Sequence, residues 1–362
     1  MICPEAGSPG EARRKNKGMS CDRYSLKSLT DNRSALMGVA TVIIMILHYY
    51  QILGVPFGGL AKSIVMFFAE TCNFGVDIFL LLSGIGLYHS LEKEPGTLPF
   101  YKRRFLRILP EYALILCISA VPYHYSVSDV LRLFTGVNFW LTDNPTDWYM
   151  ALLIVLYLIY PLLHRPVRSH SKTVIMIVCI AAVGLTALSV VMEVLYNKEV
   201  PRNIALARIP VFVAGALIGK RIKEEKAGIN EKIYVALGLS AFVLIDIILV
   251  VTLNYTITRL IYGVCALTVA LYAGTLLQRI PKENIFVKMM DKLGRISLPF
   301  YLLNMRIAIY MRSFQSFASL PGIVQIVISL IGTLLASILC QFICDKIRFV
   351  IRRFGNRKAS VA

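Results

Sequence analysis

Long apolar runs alternate with short polar stretches along almost the whole chain of 362 residues. A membrane-spanning helix needs about 20 mostly apolar residues, and ten segments come near that length. These segments are 35–54, 72–91, 105–123, 148–164, 173–196, 203–219, 232–253, 256–278, 296–313 and 322–345. The pattern predicts an all-α fold, a polytopic membrane bundle of about ten helices that has the lipid bilayer as its solvent.

Polar and basic residues bound the predicted bundle at both ends. Residues 1–33 form a predicted cytoplasmic N-terminal tail, residues 34–346 the membrane domain, and residues 347–362 a basic cytoplasmic C-terminal tail. The first apolar run is long enough to span a membrane and lacks a small-residue cleavage site, so it is predicted to be the first spanning helix and not a removable signal peptide.

Lysine and arginine residues follow every second predicted span. They cluster in the N-terminal tail, after segments 2, 4, 6 and 8, and in the C-terminal tail, whereas the intervening loops carry few. Because cytoplasmic loops are enriched in Lys and Arg, this alternation predicts that both termini lie in the cytoplasm. The formal net charge of +18 is therefore interpreted as a signal of topology, and no nucleic-acid partner is expected.

The composition agrees with a membrane protein. Hydrophobic residues make up 57% of the chain and charged residues 17%, against about 45–50% and about 25% in soluble domains. The eight cysteines are scattered without ligand-like clusters, so neither a disulfide framework nor a metal site is predicted. The sequence does not indicate an oligomeric state.

Two ionisable residues in the outer halves of predicted spans are candidates for chemistry, because such groups are unfavourable inside a bilayer. His48 lies late in segment 1, about 20 Å above the cytoplasmic end, where an imidazole can take a proton from a hydroxyl that attacks a thioester. A helix-packing histidine is the alternative. Asp77 in segment 2 is predicted to orient His48, or else to cap a helix or to pair structurally.

Two arginines mark the cytoplasmic side of segment 3. The sequence FYKRRFLRILPEY puts Arg104 and Arg107 three residues apart and therefore on one helical face. Two guanidinium groups side by side suit phosphate groups. The alternative is that the two arginines only anchor the helix end at the cytoplasmic surface.

Further polar residues within the predicted spans need partners. Arg208 and Arg306 require carboxylates or backbone carbonyls, and the available acids are Asp246, Glu193 and Glu111.

Small and aromatic residues of two spans have simpler interpretations. Ser83, Gly84 and Gly86 in segment 2 are expected to permit close contact between helices. Trp148 and Tyr149 at the start of segment 4 are expected to form an interfacial aromatic belt.

Five motifs in order resemble a known family. They are the first helix with its late histidine, FGVDIFLLLSGIGL, FYKRRFLRILPEY, DWYMALLIVLYLIYP and LGRISLPFYLLN. Together they resemble the integral membrane acyltransferase family 3, which O-acetylates or otherwise acylates surface polysaccharides. The resemblance implies a ten-helix enzyme that draws acetyl groups from cytoplasmic acetyl-CoA, with His48 acting in transfer and with Arg104 and Arg107 contributing to donor binding. Asp77 matches the acidic residue of the family's GVD motif.

Two positions depart from the family pattern. The family usually has Arg or Lys eleven positions before the histidine of helix 1, and this chain has Met37 there. Arg33, one turn lower on the same face, is predicted to take over that contact with the donor by reaching up. The family's YLLH-like motif often ends in His, and this chain has Asn304, which cannot act as a base. Both departures bear on whether activity is reduced or lost.

The predicted function is that of a membrane-bound O-acyltransferase. It moves an acyl group, acetyl by resemblance, from cytoplasmic acyl-CoA to a hydroxyl of a cell-surface or lipid-linked polysaccharide, in a bacterial cytoplasmic membrane. A glycan or lipid-linked sugar is the expected acceptor. Direct transfer and a covalent step on His48 both remain open.

Two other functions fit the same residues. An exporter or flippase for a polysaccharide or lipid-linked sugar is the alternative, because His, Asp and Arg at membrane depth also mark transport paths. A non-catalytic sensory or scaffolding relative of the enzymes is a third hypothesis.

Overall fold

A computed structural model describes most of the chain. The described residues are 24–54, 58–142, 144–196, 201–250 and 255–359. Most of the predicted N-terminal tail and the last three residues therefore lie outside the described part. Within that part the regular structure is helical, apart from an isolated antiparallel bridge between Ser25 and Gly228.

The helices are numbered in chain order. They are α1 (Ser28–Asp31), α2 (Arg33–Leu53), α3 (Gly59–Thr71), α4 (Gly75–Lys93), α5 (Thr97–Ala120), α6 (Val127–Phe134), α7 (Val137–Leu141), α8 (Trp148–Arg168), α9 (Lys172–Tyr196), α10 (Asn203–Leu206), α11 (Ile209–Lys223), α12 (Glu231–Val250), α13 (Tyr255–Arg279), α14 (Ile285–Arg295), α15 (Ser297–Arg312), α16 (Gln315–Ala318) and α17 (Gly322–Ala359). A 3₁₀ turn, Cys72–Phe74, leads into α4.

Nearly all described residues of the ten predicted spans are helical. In the described part of the chain, seven helices are long and apolar enough to cross a membrane: Arg33–Leu53, Cys72–Lys93, Trp148–Arg168, Lys172–Leu195, Asn203–Lys223, Ile261–Arg279 and Gly322–Ile351. Helix α5 falls short because it carries several charged residues, and α15 has only 16 residues. The prediction of an all-α polytopic fold is confirmed, while the number of ten spans and the cytoplasmic termini stay predictions.

Loops that the charge pattern assigns to the cytoplasm meet at one face of the bundle. Glu92 near the end of α4 is 2.9 Å from Nε2 of His164 in α8 and also pairs with Lys223 at the end of α11. The backbone N–H of Leu26 donates to the carbonyl of Ala227 at 2.8 Å. These contacts join the regions before segment 1 and after segments 2, 4 and 6, as the alternation of charge requires.

Parts of both predicted tails belong to the helical bundle. Leu29 is fully buried, and the side-chain amide of Asn32 donates to the carbonyl of Gly274 in α13 at 3.2 Å. At the other end, α17 continues for 38 residues. At about 1.5 Å per residue it is about 57 Å long, nearly twice the roughly 30 Å of a hydrocarbon core. The last helix therefore extends well beyond the predicted span.

Helix α4 is the buried centre of the bundle, and it touches α11 backbone to backbone. A Cβ atom on Gly84 would lie 2.2 Å from the carbonyl oxygen of Phe212, and one on Gly215 would lie 2.2 Å from that of Leu81. Small residues permit such close approach within a membrane bundle. The predicted packing role of Gly84 is confirmed.

We expect Gly84→Ala to destabilise the fold by about 1–3 kcal/mol, because the added methyl group meets backbone atoms that cannot rotate away. The loss is measured as a lower Tm of the purified protein in detergent. Gly184→Ala in α9 is the matched control, since a Cβ there meets nothing within 4 Å. Equal Tm values for the two variants would contradict the backbone contact.

Candidate functional site

Three cavities follow one another along α2 and α15. The cytoplasmic cavity, named for the side to which the charge pattern assigns it, is about 1050 Å³ and is lined by Arg33, Arg107 and residues of α14 and α17. The throat, about 50 Å³, shares Arg33 and Arg107 with it and is also lined by Tyr301. The outer cavity, about 520 Å³, is lined by His48 and again by Tyr301. Donor-side and acceptor-side candidates from the sequence therefore lie along one path.

Three arginines line the throat: Arg33, Arg104 and Arg107. Nη2 of Arg33 donates to the carbonyl of Leu82 at 3.2 Å, and Nη2 of Arg104 donates to the carbonyl of Gly86 at 2.6 Å. Among the described residues, no carboxylate forms an ion pair with any of the three. Guanidinium groups without a counter-charge, in a partly buried site, suit an anionic ligand such as phosphate.

Arg33 and Met37 both line the throat. The family pattern has Arg or Lys at the position of Met37, so the guanidinium of Arg33 puts a positive charge close to the place where that pattern expects one. A Cβ on Gly86 would lie 3.1 Å from Nη2 of Arg33. Glycine at position 86 therefore makes room for an arginine side chain, and not for a neighbouring helix as the sequence suggested.

An aromatic collar, formed by Phe79, Tyr149 and Tyr301, lines the throat, and Tyr301 also lines the outer cavity. The ring centroids are 5.0 Å apart for Tyr149 and Tyr301, and 6.4 Å apart for each pair that includes Phe79. The ring of Tyr301 is also 5.7 Å from that of His48. Tyr149 is only 5% exposed, so its predicted place in an interfacial belt is wrong.

His48 is buried in the wall of the outer cavity and is held by an amide. Its Nδ1 is 2.8 Å from Oδ1 of Asn304 in α15. An amide oxygen only accepts hydrogen bonds, so Nδ1 carries the proton in this arrangement. The lone pair is then on Nε2, the ring nitrogen that is left to act as a base.

Asp77 does not orient His48, contrary to the prediction. Its Oδ1 lies 3.3 Å from Nε of Arg208, and both side chains are buried. Asn304 occupies the place beside Nδ1 that was predicted for Asp77. The physical reason is that the Asp77 carboxylate, in the first turn of α4, lies beside Arg208 just before α11, whereas His48 on α2 faces α15.

Arg208 forms part of the outer-cavity wall. Its Nη2 donates to Oδ1 of Asn73 and its Nη1 to the carbonyl of Ile204, both at 2.8 Å. The guanidinium carbon lies 4.8 Å from the ring centroid of Trp148, within the range of a cation–π contact. Together with Asp77 these contacts fix the guanidinium in one orientation.

Arg306 and Asp147 form a second ion pair at the outer cavity. Nη2 of Arg306 lies 2.6 Å from both carboxylate oxygens of Asp147, and the hydroxyl of Tyr112 donates to Oδ2 at 3.1 Å. Asp147 has φ 58°, a left-handed conformation that Asp tolerates better than most residues. Its side chain is thereby turned toward the cavity.

The acids proposed from the sequence as partners of the buried arginines are corrected accordingly. Arg208 pairs with Asp77 and Arg306 with Asp147, because the helix order alone does not indicate which spans touch. Glu111 pairs with a different arginine, in α17. The side chain of Asp246 lies outside the described residues.

For the acyl transfer that the family resemblance implies, we expect Asn304→Leu to lower the rate about 100-fold, because Leu cannot accept from Nδ1 and the tautomer of His48 is no longer fixed. The KM for the acyl donor is expected to stay unchanged. Asn304→Asp keeps an acceptor at the same place and should restore part of the rate. Equal rates for Asn304→Leu and the unmodified protein, measured with radiolabelled acetyl-CoA, would contradict this role.

A comparison with protein families supports the class that the fold indicates, a polytopic membrane protein. The model of the acyltransferase domain matches residues 35–342, which is most of the chain. The chain therefore belongs to acyltransferase family 3, and it is a multi-pass membrane acyltransferase. Neither the comparison with curated proteins nor that with solved structures finds a match.

Proposed function

We propose that this acyltransferase moves an acyl group, acetyl by family resemblance, from cytoplasmic acyl-CoA to a hydroxyl of a cell-surface or lipid-linked polysaccharide, in the bacterial cytoplasmic membrane. One observation carries the proposal. A cationic throat and a cavity lined by His48 adjoin each other at Tyr301, whose side chain lines both of them. Two substrates that come from opposite sides of a membrane can meet there.

The distance between the arginines and His48 favours a long donor. Arg33 and His48 are on the same helix, fifteen residues apart, which corresponds to about 22 Å along its axis. A donor whose phosphates bind near Arg33 must therefore carry its acyl group on an extended arm to reach His48. Coenzyme A has such an arm in its pantetheine unit, and a compact acyl phosphate does not.

The side chains that line the outer cavity are of the kinds that bind sugars. Its walls combine the aromatic rings of Trp148, Tyr123 and Tyr125 with the polar groups of Asp147 and Arg306. Sugars bind to such walls because ring faces cover their C–H surfaces while charged and polar groups bind their hydroxyls. This composition supports a carbohydrate acceptor.

In the proposed reaction, Nε2 of His48 takes the proton of an acceptor hydroxyl while that oxygen attacks the thioester carbonyl. The new C–O bond forms and the C–S bond breaks, and the thiolate of coenzyme A receives the proton from the imidazolium. Asn304 accepts from Nδ1–H throughout and so stabilises the charged ring. An acyl-imidazole on Nε2 is the alternative route, and the same tautomer serves both.

The exporter hypothesis is less well supported. The cavity at the throat is about 50 Å³, enough for only a few water molecules. A sugar ring is far larger than that space, so a polysaccharide could pass only if the helices around the throat separated widely. The pantetheine arm is a single extended chain and requires a much narrower opening.

The proposal is tested with inside-out membrane vesicles from cells that carry the chain and from cells that lack it. Acetyl-CoA labelled in its acetyl group is added, and the glycan fraction is analysed for label and for the mass shift of an acetyl ester. Label that depends on the chain supports the enzyme. Unlabelled glycan, together with altered export of glycan in intact cells, would favour transport instead.

A further inference from the structure

Pro110 interrupts the hydrogen bonding of α5 close to the arginine pair. Proline has no backbone N–H, so the carbonyl four residues earlier, that of Leu106, loses its helical donor. This carbonyl accepts a hydrogen bond from Nε of Arg348 at 3.1 Å. A side chain of the last helix, α17, therefore takes the place of the missing backbone donor.

The guanidinium of Arg348 is fixed by three further contacts. Nη2 donates to the carbonyl of Arg107 at 2.8 Å, and the same group pairs with the carboxylate of Glu111. Nη1 donates to Oδ1 of Asp345, one turn earlier on α17, at 2.7 Å. The side chain is only 13% exposed. It is thus held in one orientation across the proline break.

The segment of α5 that carries the donor-site arginines is held from two sides. Arg104 is bound to the carbonyl of Gly86 in α4, and the backbone of Leu106 and Arg107 is bound to Arg348 in α17. A proline inside a helix is a site where the two halves can bend relative to each other. The contacts of Arg348 restrict that bend.

We propose that Arg348 is a positioning residue for the donor site. Its side chain replaces the hydrogen-bond donor that Pro110 lacks and so fixes the direction in which the side chains of Arg104 and Arg107 point into the throat. This inference rests on the proposed function, in which those arginines bind the phosphates of acyl-CoA. Arg348 acts through the backbone of α5 and not through the reacting atoms.

The decisive experiment is a double-mutant cycle between positions 348 and 110. Arg348→Gln is made together with Glu111→Gln, because a carboxylate left buried without its partner would itself destabilise the fold. Compared with Glu111→Gln alone, we expect the KM for acetyl-CoA to rise roughly tenfold with little change in kcat. Adding Pro110→Ala gives Leu106 a helical donor again, so most of the lost affinity should return.

Three outcomes separate this inference from its rivals. If Pro110→Ala restores nothing, Arg348 contacts the donor directly and the positioning role is wrong. If only Tm falls and KM is unchanged, Arg348 is merely structural and the inference is again wrong. If Arg348→Lys, which keeps one donor, recovers part of the affinity, the hydrogen bond to the α5 backbone is supported.

Failure of the proposed function would be recognised separately. A wild-type protein that neither binds nor turns over acetyl-CoA would refute the function, whatever Arg348 does. Amide hydrogen exchange of residues 102–116 then tests the structural part alone. We expect faster exchange when Arg348 is replaced and slower exchange when Pro110→Ala is added, and unchanged exchange in both variants would overturn the inference.

Discussion

His48→Gln is expected to lower acyl transfer by about 1000-fold, the middle of the range for the loss of a general base. Glutamine can still pair with Asn304, so the packing of α2 against α15 is retained while the basic nitrogen is lost. The measurement is the initial rate of label transfer from acetyl-CoA in vesicles with matched amounts of protein. The KM for acetyl-CoA should change little, because the arginines proposed to bind its phosphates line the throat and not the cavity that contains His48.

Tyr49→Phe is the control for this variant. Tyr49 is the next residue of α2, is equally buried, and bonds to Oγ1 of Thr333 at 3.3 Å, away from the outer cavity. Its replacement should leave the rate close to that of the unmodified protein. A His48→Gln protein that keeps most of its rate would mean that the histidine only packs α2 against α15.

Arg104→Gln combined with Arg107→Gln is expected to raise the KM for acetyl-CoA at least about 100-fold, because two hydrogen bonds to a charged group are lost and each contributes about 1.5–3 kcal/mol. The sharper measurement compares acetyl-CoA with S-acetylpantetheine, which has the thioester and the arm but no phosphate. The KM for S-acetylpantetheine should be nearly the same in the variant and in the unmodified protein. The variant should therefore lose its preference for acetyl-CoA over S-acetylpantetheine.

Arg279→Gln combined with Lys282→Gln removes the same charge from exposed positions at the end of α13 and just beyond it. This control should keep the preference for acetyl-CoA. If the double variant of Arg104 and Arg107 raises the KM for both donors by the same factor, the two arginines shape the throat and do not bind phosphate.

Much of the fold could be predicted from the sequence. The apolar runs are long and the basic clusters recur after every second run, so hydrophobicity and charge indicate the same helices independently. The depth of a residue in the membrane can be estimated from its position within its apolar segment. The path from Arg33, Arg104 and Arg107 to His48 was predictable for this reason.

The lateral arrangement of the helices could not be predicted. A residue's position along a helix does not say which neighbouring helix it faces, and so His48 was paired with Asp77 when its partner is Asn304. The sequence shows Asn304 as the loss of a possible base, but it does not show that its amide oxygen fixes the tautomer of a histidine 256 residues earlier. The contact of Arg348 could not be predicted from the sequence. Its partner Leu106 is 242 residues away, and Arg348 is one of several basic residues at the end of the last helix.

The aromatic collar also matters for the membrane in which the protein lies. The throat and the outer cavity meet at the ring of Tyr301, and the rings of Phe79 and Tyr149 pack beside it along the throat. Closely packed rings leave little room for water, so under the proposed function an acyl group would cross the bilayer on its covalent carrier without a wide aqueous channel for ions. The cell would then keep the ion gradients that the same membrane stores.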